Sequence, residues 1–295
     1  MPIIGDRPEL NLKTVVYATD FSLFSHKAGL FAAHIAAYFS AKLLVAHAFT
    51  LSQAALEVEA SDRQVSIQRK DLENLLAREA ALLGADRLQS AAALLEGDPH
   101  DVIPKLADRN EPSMIVLGTH GGGRLERGII GSTAEKILRS TRWPSLTVGP
   151  HVNAASSKTV PFQKILFATD FTAAGANAAI YAVTFAEVCG ARIDVLNVVQ
   201  DDAIEHPDRI SDLQNHFFKA LEALVPQQAR EFCDPRTFVA VGKAHDRILE
   251  HIRERSIDLL VLGIRRTSLL SMEMRTSGAF RIIVDAECPV LTIRR

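Results

Sequence analysis

The chain contains one sequence twice, as Val15-Val-Tyr-Ala-Thr-Asp-Phe-Ser22 and, 150 residues further on, as Ile165-Leu-Phe-Ala-Thr-Asp-Phe-Thr172. More matches follow at an offset of 145, among them Met114-Ile-Val-Leu-Gly118 with Leu259-Leu-Val-Leu-Gly263. A repeat of about 140 residues has the size of a domain, so we expect two tandem copies of one fold. The expected boundaries are a first domain at 1–150, a linker without apolar periodicity at 151–161 and a second domain at 162–295.

Each copy alternates short apolar runs with longer segments of helical periodicity. The first copy has predicted strands at 12–18, 42–49, 87–95, 114–118 and 145–148, and predicted helices at 22–40, 57–83, 99–110 and 132–139. Such alternation is typical of βαβ units, which build a parallel sheet. The strands are apolar on both faces, which indicates that helices cover both sides. The sequence therefore predicts an α/β fold with two tandem open parallel-sheet domains.

Composition excludes several classes of protein. The 33 basic and 35 acidic side chains nearly cancel, so the chain has no strong positive field to attract nucleic acid or anionic lipid. Three cysteines without a C-x-x-C spacing indicate neither a disulfide framework nor a thiolate zinc site. The first residues do not resemble a secretory signal, and the most apolar segment, at 28–49, is interrupted by polar residues. We expect a cytoplasmic protein with neither nucleic acid nor membrane as partner.

The clearest chemical signal follows the fourth predicted strand, where Gly118-Thr-His-Gly121 leads to Gly131-Ser132-Thr133 at the start of a predicted helix. Glycines let the backbone approach a ligand closely. The N–H groups and the dipole at a helix start favour phosphate. The alternative is a glycine-rich surface loop in which Ser132 is an ordinary N-cap. Ligands of open parallel sheets bind beyond the carboxyl ends of strands, which favours the phosphate site.

The spacing Gly-x2-Gly-x9-Gly-Ser resembles the ATP-binding signature of the universal stress protein family. At average composition, a chain of this length would contain that spacing by chance only about 0.01 times. The resemblance extends over both copies, and the arrangement is similar to that of tandem-domain members of the family. It implies a Rossmann-like fold of the adenine nucleotide alpha hydrolase-like type. It also implies ATP, with or without Mg²⁺, as the ligand.

The resemblance further implies which residues bind the nucleotide. Asp20 would recognise the nucleoside with Thr19 beside it, and Ala48 would contact adenine through its backbone. His120 would lie along the phosphate loop. The predicted phosphate-binding residues are Gly118, Gly121, Gly131, Ser132 and Thr133. No catalytic residue and no metal ligand is predicted. An alternative for Asp20 is to cap the helix that begins near Ser22.

The second copy departs from this signature. Gly263 matches Gly118, but Arg266 stands at the position of Gly121, and Thr276-Ser277 stand at those of Gly131-Ser132. Met272 and Met274 add apolar bulk to the same loop. The second copy is therefore interpreted as a degenerate site. The alternative is that Arg265 and Arg266 hold phosphate by charge.

Three functional hypotheses follow. In the first, the chain is an ATP-binding regulator of the stress response whose second domain is a structural pseudo-dimer partner. In the second, it is a slow ATPase or another adenine-nucleotide enzyme. Glu126 and Arg127 would then assist hydrolysis, which is expected to be slow because no residue is predicted to position the attacking water. In the third, it is a nucleotide-free module that binds other proteins. The domains would pair through their last strands, near 144–148 and 289–293, and a homodimer of whole chains is also compatible.

Overall fold

The computed structural model describes residues 11–50, 61–84, 88–120, 129–199, 210–225, 227–264 and 278–294. These residues form two compact units. The first lies within 12–125 and 131–145, and the second takes the chain from Leu146 onward together with Asn11, Ile129 and Ile130. No helix in the described ranges has both the length and the apolar character needed to cross a bilayer.

The first unit is a parallel sheet with helices between its strands. Its elements are β1 (Thr14–Ala18), α1 (Leu23–Tyr38), β2 (Lys42–Phe49), α2 (Ser61–Leu83), β3 (Ser90–Glu96), α3 (Pro99–Arg109), β4 (Ser113–Gly118) and α4 (Ser132–Ser140). The strand order is β3-β2-β1-β4, and each neighbouring pair is parallel. The order reverses between β1 and β4. Ligands bind at such a reversal in open α/β sheets.

The second unit repeats this arrangement. Its elements are β5 (Ser145–Val148), β6 (Lys164–Ala168), α5 (Ala173–Cys189), β7 (Arg192–Val199), α6 (Ile210–Leu224), β8 (Pro235–Val241), α7 (Ala244–Arg255), β9 (Leu259–Ile264), α8 (Gly278–Asp285) and β10 (Val290–Arg294). The strand order is β5-β10-β9-β6-β7-β8, so the order reverses between β6 and β9 as it does in the first unit. Inside this unit, the Thr147 hydroxyl of β5 donates to the Val290 carbonyl of β10 at 3.1 Å.

The predicted fold class is confirmed. The central strands β1, β4, β6 and β9 are buried along almost their whole length, as expected for a sheet with helices on both faces. The observed element bounds lie within a few residues of the predicted ones; β1, for example, begins at Thr14 rather than at residue 12.

The segment at 151–161 contains regular structure. A 3₁₀ helix covers Ala154–Thr159, and the Asn153 side chain accepts a hydrogen bond from the Ala155 N–H at 3.0 Å. Val152 and Ser157 are buried. A single short 3₁₀ helix is too brief to produce apolar periodicity in the sequence, which is why the pattern indicated only a linker.

Candidate functional site

The carboxyl ends of β1, β2 and β4 meet at one edge of the first unit. Ala18 of β1 is in register with Ala46 of β2 and with Leu117 of β4, and all three strands run in the same direction. The last residues of these strands and the residues that follow them therefore lie at the same edge. Among them are the predicted site residues Thr19, Asp20, Ala48, Gly118 and His120.

The turn between β1 and α1 is held by side chains. The Thr19 hydroxyl, which is buried, accepts from the Phe21 N–H at 3.0 Å, and the exposed Asp20 carboxylate accepts from the Ser22 N–H at 3.0 Å. Phe21 between them has a φ of 61°. Ser22 is the N-cap of α1 and accepts from the Ser25 N–H at 3.2 Å. Asp20 thus stabilises the turn at the helix start, and its exposure leaves its carboxylate accessible to a ligand.

The end of β4 packs closely against the first turn of α1. A Cβ on Gly118 would lie 3.2 Å from backbone atoms of Phe24, so a side chain at this position would force the two segments apart. The ring of Phe24 also faces the ring of His120, with centroids 6.1 Å apart. The His120 Nδ1 atom lies 2.9 Å from the hydroxyl of Thr119, which is fully buried.

Helix α4 begins next to the end of β4. The Gly131 N–H donates to the Thr119 carbonyl at 2.8 Å, and a Cβ on Gly131 would lie 3.0 Å from that carbonyl oxygen. Gly131 is the N-cap with a φ of −59°, so it is needed for this close approach and not for an unusual backbone conformation. It has no side chain to cap the helix. Ser132 and Thr133 are exposed in the first turn, whose N–H groups have no acceptor within the helix.

A polar cluster that sequence analysis missed lies beneath the turn. It consists of Tyr17, Thr19, Ser25 and Glu79, and it is called the Glu79 cluster below. The fully buried Tyr17 hydroxyl lies 2.8 Å from the Glu79 carboxylate and 2.7 Å from the Ser25 carbonyl, while the Thr19 hydroxyl lies 3.2 Å from Glu79. Burial, reinforced by the charge of Glu79, raises the pKa of Tyr17 well above its ordinary value. A tyrosine within an apolar strand was the available signal, because a buried hydroxyl needs a partner.

His47 supports the same turn from β2. Its Nδ1 atom lies 2.8 Å from the Thr19 carbonyl oxygen, and its ring lies against that of Phe21 with centroids 4.5 Å apart. Ala48, the next residue, is half-buried at the sheet edge. His47 is therefore a hydrogen-bonded group that holds the turn in place.

The second unit builds the same turn after β6. The Thr169 hydroxyl accepts from the Phe171 N–H at 3.1 Å, and the exposed Asp170 accepts from the Thr172 N–H at 3.1 Å. Phe171 has a φ of 58°. The amide of Asn197 donates to the Thr169 carbonyl at 2.9 Å, as His47 contacts Thr19 in the first unit.

The surroundings of the second turn are packed more tightly. A Cβ on Gly263 would collide with the carbonyl group of Ala174 and would lie 2.6 Å from the Gly175 N atom. Gly175 stands where the first unit has Ser25, and Phe217 of α6 stacks on Phe171 with centroids 5.6 Å apart. Helix α5 therefore packs more closely against the end of β9 than α1 packs against the end of β4.

The dipeptide His-Asp recurs in the two copies, as His100-Asp101 and His245-Asp246, and its contacts differ between them. His245 lies between two carboxylates, with Nδ1 2.9 Å from Asp246 and Nε2 2.8 Å from Asp285, so it links α7 to α8. His100 Nε2 is 3.8 Å from Asp101.

Part of the predicted site lies outside the described residues. This applies to Gly121 and to the hydrolysis candidates Glu126 and Arg127. It applies equally to the departures in the second copy, at Arg265, Arg266, Met272, Met274, Thr276 and Ser277. The role of Gly121 and the degenerate state of the second loop stay predictions.

Comparison with known proteins supports the two-copy organisation. A family model described as the Universal stress protein family matches residues 11–149 and 161–294. A universal stress protein of Methanocaldococcus jannaschii is 28% identical over 138 residues, which cover 46% of this chain and 81% of that protein. The universal stress protein YxiE of Bacillus subtilis is 28% identical over 147 residues, covering 45% of this chain and 99% of that protein.

The fold as a whole has a solved counterpart. The crystal structure of a universal stress protein from Archaeoglobus fulgidus is similar with a TM-score of 0.71 at 18% sequence identity. The similarity covers 96% of this chain and 98% of that one. At this level of identity the comparison shows a common fold.

Proposed function

The chain belongs to the universal stress protein family as a tandem two-domain member, and from that premise we propose that it is an ATP-binding regulatory protein of the stress response. The first half would hold one ATP, and the second half would act as its structural partner. Occupancy of the nucleotide site would then alter a surface that other proteins recognise.

The proposal rests on one observation. The turn after β1, the end of β4 and the start of α4 lie together where the strand order of the first unit reverses. The turn after β1 presents the exposed Asp20 carboxylate, an acceptor that suits ribose hydroxyls. The end of β4 is joined to the start of α4 through the bond between Gly131 and Thr119. The N-terminus of α4 supplies N–H groups and a positive dipole end for phosphates, assisted by the hydroxyls of Ser132 and Thr133. Mg²⁺ would accompany ATP only as its usual counter-ion.

We also propose an intramolecular pseudo-dimer through the last strands. The sequence supports it, because both strands follow a proline and are apolar, and an unpaired apolar strand edge is a liability. A cytoplasmic location completes the proposal.

The test uses the full chain. Nucleotide retained on the purified protein is released with acid and identified by mass spectrometry, and ATP is titrated by calorimetry into protein freed of it. We expect one ATP per chain. A matched pair of variants locates it, because Asp20 and Asp170 make the same turn bond in the two halves. Asp20→Ala should weaken ATP binding at least about tenfold, while Asp170→Ala should leave it unchanged.

Two results would contradict the proposal. Two equivalent ATP sites, or equal losses in both variants, would show that the second half binds nucleotide as well. Multiple-turnover release of phosphate from ATP would favour the enzyme hypothesis over a regulatory one.

A further inference from the structure

A pocket of about 230 Å³ lies at the opposite edge of the second unit, where β6, β7 and β8 begin and α7 ends. Four of its lining residues are cationic and two are acidic. The cationic residues are Lys164, Arg192, Arg236 and Arg255, and the acidic ones are Asp194 and Glu254. This concentration of positive charge stands out in a chain whose charges nearly cancel.

The parallel register brings the cationic side chains together. Lys164 of β6 is in register with Arg192 of β7, and Asp194 is in register with Arg236 of β8. Because residues two apart in a strand share a face, these four side chains lie on one face of the sheet. Asp234 aligns two of them, since its Oδ2 atom lies 3.3 Å from Arg236 Nη2 and 4.0 Å from Arg192 Nε.

A polar triad of Asp194, His251 and Arg255 with a buried carboxylate lies beneath the pocket. The Asp194 side chain is only 7% exposed, and its Oδ2 atom lies 2.9 Å from His251 Nε2 and 3.0 Å from Arg255 Nε. Burial alone would raise the pKa of Asp194, but the hydrogen bonds from His251 and Arg255 outweigh it and hold the pKa below its ordinary value. The carboxylate is therefore ionised near neutral pH.

The fold itself does not require this triad. Leu44 occupies the strand position of Asp194 in the first copy, and Leu106 and Asn110 stand where the second copy has His251 and Arg255. Burying charged groups costs free energy that apolar residues of similar size avoid. The triad is thus a feature of the second copy that packing does not explain.

The contacts of the triad orient Arg255 toward the pocket. Asp194 engages only the Nε–H of its guanidinium, which has five N–H donors in all. The guanidinium lies 5.0 Å from the centre of the Phe238 ring, and Lys164 Nζ donates to the Arg255 carbonyl at 3.1 Å. Arg255 is only 34% exposed, so its planar group is held before any ligand arrives.

We propose that this pocket binds a small phosphate-bearing anion, with Arg192, Arg236 and Arg255 as binding residues and Asp194 as the residue that positions Arg255. Guanidinium groups match phosphate oxygens in pairs and are preferred for this task. The volume is below the about 300 to 1,000 Å³ of pockets for larger ligands, which favours inorganic phosphate or a small phosphomonoester over a nucleotide. The site is distinct from the ATP site proposed above, because it lies at the amino ends of strands in the other half.

The test titrates inorganic phosphate into the full chain by calorimetry, with malonate as a dicarboxylate of similar charge. The double variant Arg192→Gln/Arg236→Gln removes two exposed cations from the pocket. Its matched control, Lys13→Gln/Lys42→Gln, removes two cations from the corresponding edge of the first unit, where Lys42 stands at the strand position of Arg192. Phosphate affinity should fall at least about tenfold in the first variant and stay within about twofold in the control.

ATP affinity, measured in the same samples, should be unchanged in both variants, which separates this site from the nucleotide site. The proposal is overturned if the wild-type chain binds no phosphate, if the control loses as much affinity as the pocket variant, or if malonate binds as tightly as phosphate.

The positioning role of Asp194 is tested with Asp194→Asn. We expect weaker phosphate binding together with a shifted ¹⁵Nε resonance of Arg255, while Asp71→Asn on the exposed face of α2 should leave both unchanged. An unmoved Arg255 resonance in Asp194→Asn would contradict the assigned role even if the protein melts earlier.

Discussion

The two halves of the chain form the same turn after their first strands and differ in what surrounds it. Asp20 and Asp170 each accept from the N–H two residues ahead, and a residue of φ near 60° follows each of them. Around the first turn lie Ser25 and His47, whereas the second has Gly175 and Asn197 at these positions. The repeated turn is therefore a structural device that starts a helix. The two halves differ in the residues that surround this turn, and only the first is proposed to bind nucleotide.

The polar clusters of the two halves lie at opposite ends of their sheets. The first half places the Glu79 cluster near the carboxyl ends of its strands, and the second has Phe167 where Tyr17 donates. The second half places Asp194, His251 and Arg255 at the amino ends, where the first has Leu44 and Leu106. The two copies therefore share the turn after their first strands but differ in the position of their buried polar groups.

The largest expected effect is a loss of ATP binding at the start of α4, a site that is proposed for the first half alone. In Gly131→Val the new side chain would meet the Thr119 carbonyl at the start of α4 and would cover the N–H groups proposed for phosphate. Loss of two charge-assisted bonds of about 1.5 to 3 kcal/mol each should weaken ATP binding at least about a hundredfold. Calorimetry and thermal melting with ATP would measure this.

The matched control is Gly278→Val, because a Cβ on Gly278 at the start of α8 has no neighbour within 4 Å among the residues that the structure describes. It should bind ATP like the wild type. Normal ATP binding by Gly131→Val, with an unchanged melting curve, would remove the phosphate assignment.

The second prediction compares the packing of α1 against the end of β4 with the packing of α5 against the end of β9. Gly263→Ala would drive a methyl group into the backbone of Ala174, whereas Gly118→Ala would meet Phe24 at 3.2 Å. Overpacking typically costs about 1 to 3 kcal/mol, and we expect Gly263→Ala at the upper end and Gly118→Ala at the lower. Melting temperatures of the two variants decide this, and a larger loss in Gly118→Ala would reverse the comparison.

A third prediction makes the first half more like the second. Tyr17→Phe leaves the ring in place but removes the hydroxyl that donates within the Glu79 cluster. The loss of a buried hydrogen bond should reduce the free energy of unfolding by about 1 kcal/mol. Denaturant titration measures this loss. Tyr181→Phe, a similar change on α5 in the second half, is the control, and an equal loss there would contradict the specific role of the cluster.

The smallest expected effect depends on pH and concerns the second half. The folded-state pKa of Asp194 lies below its ordinary value of about 3.9, so its ionised form contributes stability that is complete above that pH. This stability is lost as the pH falls through the folded-state pKa. The difference in melting temperature between wild type and Asp194→Asn should therefore shrink in acid. A difference that stays constant from neutral pH to about pH 2 would contradict this, and Asp71→Asn on the exposed face of α2 is the control.

The sequence by itself determined the parts of this protein that depend on local pattern. Apolar runs and helical periodicity placed the strands and helices, and the repeat of Ala-Thr-Asp-Phe revealed the two copies. Because parallel strands bring their carboxyl ends to one edge, the same information placed Asp20 and Gly118 together. These features depend on the spacing between residues that are near in sequence, and this spacing can be read without a structure.

Tertiary structure alone decided the features that join distant residues. The Glu79 cluster links residues 62 positions apart, and the bonds of Asp194 to His251 and Arg255 span 57 and 61 positions. A single Tyr or Asp inside a strand shows that a polar partner is needed, but not which one. The partner is chosen by strand order and register and by the helix that packs on each face, and this is why the anion pocket of the second half became visible only in the folded chain.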